Sequence, residues 1–281
     1  TMRTGLFGYS CAAAPEANST ASTMARQTRV FIFRFPFSGG ELNNTRMDPA
    51  QGLPEKLERL RQKRGYLLPH HGLLALTSPA LLDAYDATYT ALALDDRVLS
   101  RHDREFVWLA ILIATKESIA THHLAKFRQA GGTDAEIGSI LSLTALALGF
   151  EAFRFVEQHW LHHLPAIDPR QSYLSALQRS AGEVTPRLVH LAAAAIHTCR
   201  AAWDALRLQI VAAYGAAVPE EELAEALSLC MFPGSVPHFV EAARVWRELV
   251  NAGQVNASPA FRAWAALSGQ GGYDEASGAK G

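Results

Sequence analysis

Lys116-Glu117 and His122-His123 place four proton-handling or charge-holding side chains within eight residues, and Glu105 lies about three helical turns before Glu117. Histidine titrates near neutrality, which suits it to donate or accept a proton. On an unbroken helix, offsets of three, four and seven residues would bring Lys116, Ile119, Ala120 and His123 onto one face. Glu117 would sit at its edge, with His122 pointing elsewhere. On that reading His123 moves a proton, Glu117 orients or relays, and Lys116 holds a substrate carboxylate. A second reading stands beside it. There His122 and His123 are partly buried polar residues near a helix end, where the dipole favours a cation, and Glu105 is a structural partner of Arg101 or another arginine rather than a second acid–base carboxylate.

Two other histidine clusters have weaker claims. His159 and His163 are four apart, as zinc pairs often are, but no carboxylate follows at helical spacing and Pro165 ends the helix, so no metal set is assigned. His70-His71 precedes Gly72 and reads as a solvated loop.

The elements that must position these residues are helical. Hydrophobic residues make up 49% of the 281-residue chain and charged residues 19%, a globular composition, and the abundance of Ala and Leu favours helix. A formal net charge of −1 gives no reason to expect nucleic acid or an anionic membrane as partner. Cys11, Cys199 and Cys230 are far apart and form neither a disulfide framework nor a zinc knuckle. No uninterrupted apolar run reaches spanning length, and the expectation is a cytoplasmic protein.

Pro54–Arg64 and Pro79–Ala93 read as helices joined by the His70-His71 loop. Ser100 and Asp103 stand in capping-box spacing before a helix expected to run to about Gln129 and stop at Gly131-Gly132. Thr133 and Glu136 form a second capping box. The order then recurs: Thr185-Pro186 opens a long Ala-rich helix expected to reach Ala213, Pro219-Glu220 opens another, and Val236–Leu249 closes the series. Ala135-Glu136-Ile137 and Glu221-Glu222-Leu223 lie 86 residues apart, which suggests two fused helical units. The expected fold class is all-α, two pseudo-repeated units in one chain. Residues 1–46 read as a non-functional extension, 47–170 as the first unit with the site, 171–260 as a degenerate second unit and 261–281 as a flexible tail.

Arg104-Glu105, Glu117-x5-His123 and the turn Gly131-Gly132-Thr133-Asp134-Ala135-Glu136-Ile137 occur in an order that resembles the carboxymuconolactone decarboxylase family, which includes the AhpD-type alkylhydroperoxidases. Pro219–Ala226, Phe232-Pro233-Gly234 and Val240–Trp246 resemble it again. The peroxidase members carry a CxxC motif on the long helix; its two positions fall here on Lys116 and Ile119, so thiol exchange is excluded at this site. The resemblance implies decarboxylation or isomerisation of a small carboxylated or lactone substrate of the kind met in aromatic catabolism, without metal or organic cofactor. His123, Glu117 and Lys116 would act as catalytic residues, with Glu105 and His122 in support. It also implies a homo-oligomer, a trimer of two-unit chains. A diverged AhpD-like protein without thiol chemistry and a non-catalytic helical scaffold are the alternatives. In the second unit the 86-residue offset replaces Lys116, Glu117 and His123 by Ala202, Trp203 and Gln209.

Overall fold

The computed structural model describes residues 52–278, and the expected N-terminal extension lies outside them. Among the described residues the fold is all-α. It begins with three short helices, α1 (Leu53–Arg64), α2 (Pro69–Thr77) and α3 (Pro79–Ala93). The segment expected to be a His70-His71 loop is therefore helical. Pro69 supplies the preset first-turn φ, and the His71 ring accepts the Leu68 N–H at 3.0 Å, giving α2 an N-terminal side-chain cap that the sequence did not advertise.

Two helices form the centre. α4 (Arg101–Thr115) and α9 (Pro186–Cys199) pack on one another and are buried on almost every side. Ala192, Ala193, Ala194 and Ala195 are fully buried, and a run of methyl side chains lets neighbouring helices approach α9 closely. Around this pair stand α5 (His122–Gln129), α6 (Asp134–Leu148), α7 (Phe150–Phe155), α8 (Pro169–Ser180), α10 (Trp203–Gly215), α11 (Glu220–Ser228) and α12 (Val236–Asn251). Two polar ties fasten the start of α4 to the later helices. Buried Glu225 on α11 accepts the N–H groups of Val98 and Leu99 at 2.7 and 2.8 Å, and Arg187 bridges Asp103 and Glu222.

The predicted N-caps hold: Ser100 accepts the Asp103 N–H, Thr133 and Glu136 close a capping box, and Thr185 accepts the Leu188 N–H. The two long helices do not. Each is broken by a non-glycine residue in the left-handed region, Lys116 (φ 63°) and Ala201 (φ 53°). Shifted by 86 residues, α4, α5, α6 and α7 fall on α9, the end of α10, α11 and the start of α12. Within the stretch expected to be a flexible tail, α13 (Pro259–Ala265) packs on α12, with Ala265 buried and its carbonyl accepting from Arg247. The helical stretch Asp134–His163 is long and apolar enough, by length and composition alone, to cross a membrane, but Ile140, Leu143, Ala147 and Phe150 within it belong to the core.

Two glycines test this packing with opposite signs. A Cβ at Gly234 would stand 2.9 Å from the Cys230 carbonyl oxygen and 3.1 Å from Cys199 Cα, both backbone atoms, whereas a Cβ on Gly138 inside α6 meets nothing within 4 Å. Gly234→Ala should destabilise the fold by about 1–3 kcal/mol. Gly138→Ala should stabilise it by about 0.5–1 kcal/mol through helix propensity. Urea unfolding of both variants reads the two signs.

Candidate active site

α4 ends at Thr115 in a left-handed turn. The Glu117 N–H bonds to the Leu112 carbonyl at 3.0 Å, closing a Schellman-type turn around Lys116, and the chain becomes helical again at His122. The expected face shared by Lys116 and His123 does not form, because the two residues lie on opposite sides of this break. Lys116 and Glu117 are exposed and border an apolar groove of about 370 Å³ with Leu109, Leu112, Leu124 and Ile137. His123 is not among its lining residues.

The structure pairs His123 with Glu105 instead. His123 Nδ1 lies 2.6 Å from Glu105 Oε2; the histidine is 2% and the glutamate 3% exposed. Trp108, one turn after Glu105 on α4, stacks on the imidazole with ring centroids 4.7 Å apart. Burial pushes the His123 pKa below its ordinary value; Glu105 opposes this, while Lys126 and Arg104 add to it. A neutral imidazole here donates Nδ1–H to the Glu105 carboxylate and keeps its Nε2 lone pair, which has no hydrogen bond among the described residues. The Glu105 partnership with Arg101 is also corrected: Arg101 pairs with Asp96.

His122 and His123 occupy the first turn of α5, not a helix C-terminus, so the local dipole disfavours protonation rather than favouring it. His122 stacks on Tyr66 at 4.0 Å and receives the Tyr89 hydroxyl at 3.2 Å. Burial, His123, Lys126 and Arg64 bring its pKa down to about 3. Tyr89 is a hub. Its hydroxyl also accepts from Tyr66 at 2.9 Å and from Lys126 at 3.3 Å, and its ring lies 4.4 Å beneath the Arg64 guanidinium, which Asp86 holds at 2.7 Å.

A polar pocket of about 210 Å³ lies beside this cluster. Arg101, Arg104, Glu105, Lys126 and Gln129 line it. Three basic side chains and one carboxylate thus line it, and Arg101 is also paired with Asp96. Arg104 is 2% exposed; one terminal nitrogen donates to the Asp95 carbonyl at 2.5 Å, and its Nε has no partner among the described residues. Glu105 thus has one carboxylate oxygen on His123 and lines the pocket as well.

Residues 79–158 match the family model described as the carboxymuconolactone decarboxylase family. That segment, less than a third of the chain, is similar to the family. No curated protein and no solved structure matches the chain. The family segment spans α3 to α7 and so includes Tyr89, Glu105, His122, His123 and Lys126, whereas Arg64 and Tyr66 precede it. Sequence spacing missed Lys126, although it stands three residues after His123 on the same helix face. Tyr66 and Arg64 carried no sequence signal, because only the fold of α1 onto α3 brings them to Tyr89. At the 86-residue offset, Glu105 and His123 of the family segment correspond to Leu191 and Gln209, both fully buried; Gln209 bonds His190 through its amide nitrogen and leaves its oxygen unpartnered.

Several buried imidazoles share one electrostatic consequence. Burial lowers His71 to about 4 and His197 to about 3, with His122 and His123 shifted the same way. Between these folded values and the ordinary value near 6.5 the unfolded chain binds protons that the folded chain does not. Stability is therefore complete above about pH 6.5 and falls as the pH drops toward 4. His197 is 1% exposed and is held by Tyr173 at 2.7 Å. His197→Gln should flatten the fall by up to about 1.4 kcal/mol per pH unit. Denaturant midpoints measured from pH 7 to 4 check this, and identical slopes for variant and parent would show that His197 titrates normally.

Proposed function

We propose that the chain is an enzyme of the carboxymuconolactone decarboxylase type that moves a proton on a small carboxylated substrate held between α4 and α5. The reading rests on the 2.6 Å Glu105–His123 pair, dry on one side and open through Glu105 to a cationic pocket on the other. Arg104 and Arg101 would hold the substrate carboxylate. As the bond to a departing carboxylate breaks, its electron pair flows into the substrate carbonyl, and these cations stabilise the enolate that develops. The Glu105–His123 dyad takes up one proton from solvent and passes it to the enolate carbon. His123 orients Glu105 through its Nδ1–H. Lys116 and Glu117, on the far side of the helix break, have no part in this scheme, and His122 serves the tyrosine network.

One general acid or base typically contributes ~10²–10⁴-fold. Glu105→Gln and His123→Ala should each lower carbon dioxide release from a panel of small oxo and lactone acids by about that factor, with unchanged circular dichroism. Glu117→Gln should retain the parental rate. Parental turnover by Glu105→Gln would overturn the assignment and favour the scaffold reading.

We further propose a homo-oligomer. Leu141, Leu148 and Phe155 lie at seven-residue intervals along α6 and α7 and are 57%, 44% and 46% exposed, a bare apolar stripe of the kind that subunits cover. Light scattering should give a mass above that of one chain, lowered by Leu148→Glu. A monodisperse monomer would count against it.

A further inference from the structure

The pocket that Glu105 lines contains one primary amine. Lys126 stands one turn after His123 on α5, and it shares the pocket with Glu105, Arg104 and Arg101. Among the described residues its Nζ has no carboxylate within salt-bridge distance; its hydrogen bond goes to the neutral Tyr89 hydroxyl at 3.3 Å, with the nitrogen 5.4 Å from the ring centroid. An ammonium placed for structure ordinarily meets a carboxylate, as Lys63 meets Asp86 and Lys56 meets Asp83. Lys126 instead faces cations: Arg104 across the pocket and Arg64 over the same tyrosine ring. Burial holds its pKa below the ordinary lysine value; Glu105 opposes the shift, and Arg104 and Arg64 reinforce it. That environment favours the free amine, the form with a lone pair to give.

We propose that Lys126 is a nucleophile that condenses with the carbonyl carbon of a small 3-oxo or 2-oxo acid whose carboxylate rests on Arg104 and Arg101. This deepens the functional reading above and rests on it, since it places the substrate in the same pocket. A volume of about 210 Å³ admits an acid of a few carbons. The Nζ lone pair forms an N–C bond as the carbonyl π pair moves to oxygen. Protonation of that oxygen and loss of water leave an iminium. In a 3-oxo acid the iminium accepts the electron pair of the bond to the carboxylate, carbon dioxide departs and an enamine remains. The Glu105–His123 dyad takes a proton from solvent and passes it to the enamine carbon. Water then hydrolyses the iminium, releasing the ketone and the free amine. The sum consumes one solvent proton per oxo acid and needs no oxidant or reductant. Tyr89 positions the amine through its hydroxyl.

Borohydride trapping tests the proposal. The full chain is incubated with pyruvate or 3-oxobutanoate and sodium borohydride, then analysed by intact and peptide mass spectrometry. Pyruvate cannot lose its carboxylate through the imine and should trap as the intact reduced adduct, whereas 3-oxobutanoate should also trap as its decarboxylated product. The adduct should fall on Lys126, and Lys126→Arg, which keeps the charge and the fold, should reduce it more than tenfold. In Glu105→Gln the adduct should persist while carbon dioxide release falls. No adduct on Lys126, or equal labelling of exposed Lys116, overturns the amine proposal. If carbon dioxide release still depends on Glu105 in that case, the acid–base reading survives without it. An adduct on Lys126 with release indifferent to Glu105 would retain the amine and remove the dyad.

Discussion

The packing of α4 against α9 is the constraint from which the site follows. Four consecutive alanines give α9 a thin profile, so the helices around it close without gaps and α4 is dry along most of its length. Glu105 lies on that dry helix, and an isolated carboxylate there would carry a large desolvation cost. His123, brought back by α5, answers it with a hydrogen bond at 2.6 Å, and Trp108 seals the face of the ring. Glu105 is therefore both buried and in contact with a pocket.

The break in the long helix sets the electrostatics. Had α4 run through to Gln129, His123 would have stood near a helix C-terminus and gained stability as a cation. The turn at Lys116 starts a new helix at His122, so the dipole there acts together with burial to keep both imidazoles neutral. The same reversal frees the charge of Glu105 to face Arg104, Arg101 and Lys126 rather than an imidazolium. A neutral donor lies behind the carboxylate and basic side chains lie in front of it.

The helices after residue 180 support this arrangement without repeating its chemistry. Glu225 and Arg187 reach across to the beginning of α4 and fix its register, and Phe232 packs edge-on against Tyr85 and Tyr89. At the offset that superposes the element order, the carboxylate and imidazole give way to Leu191 and Gln209. A fully buried leucine and amide cost less to bury than an acid–base pair.

The sequence by itself determined the helical class, the caps at Ser100, Thr133 and Thr185 and the stop at Gly131-Gly132, because these depend on periodicity and on contacts within one turn. It could not show that α4 stops at Thr115, since no glycine or proline marks Lys116 and the left-handed turn there is carried by a lysine at φ 63°. Nor could it separate Lys116 and Glu117 from His123, or bring Arg64, Tyr66 and Tyr89 onto His122, because those outcomes follow from one missing helical turn and from long-range folding of α1 and α3. Local physical chemistry decided which residues could do the chemistry. Tertiary structure decided which of them are dry and which meet, since desolvation and hydrogen-bond geometry depend on the packing of helices distant in sequence.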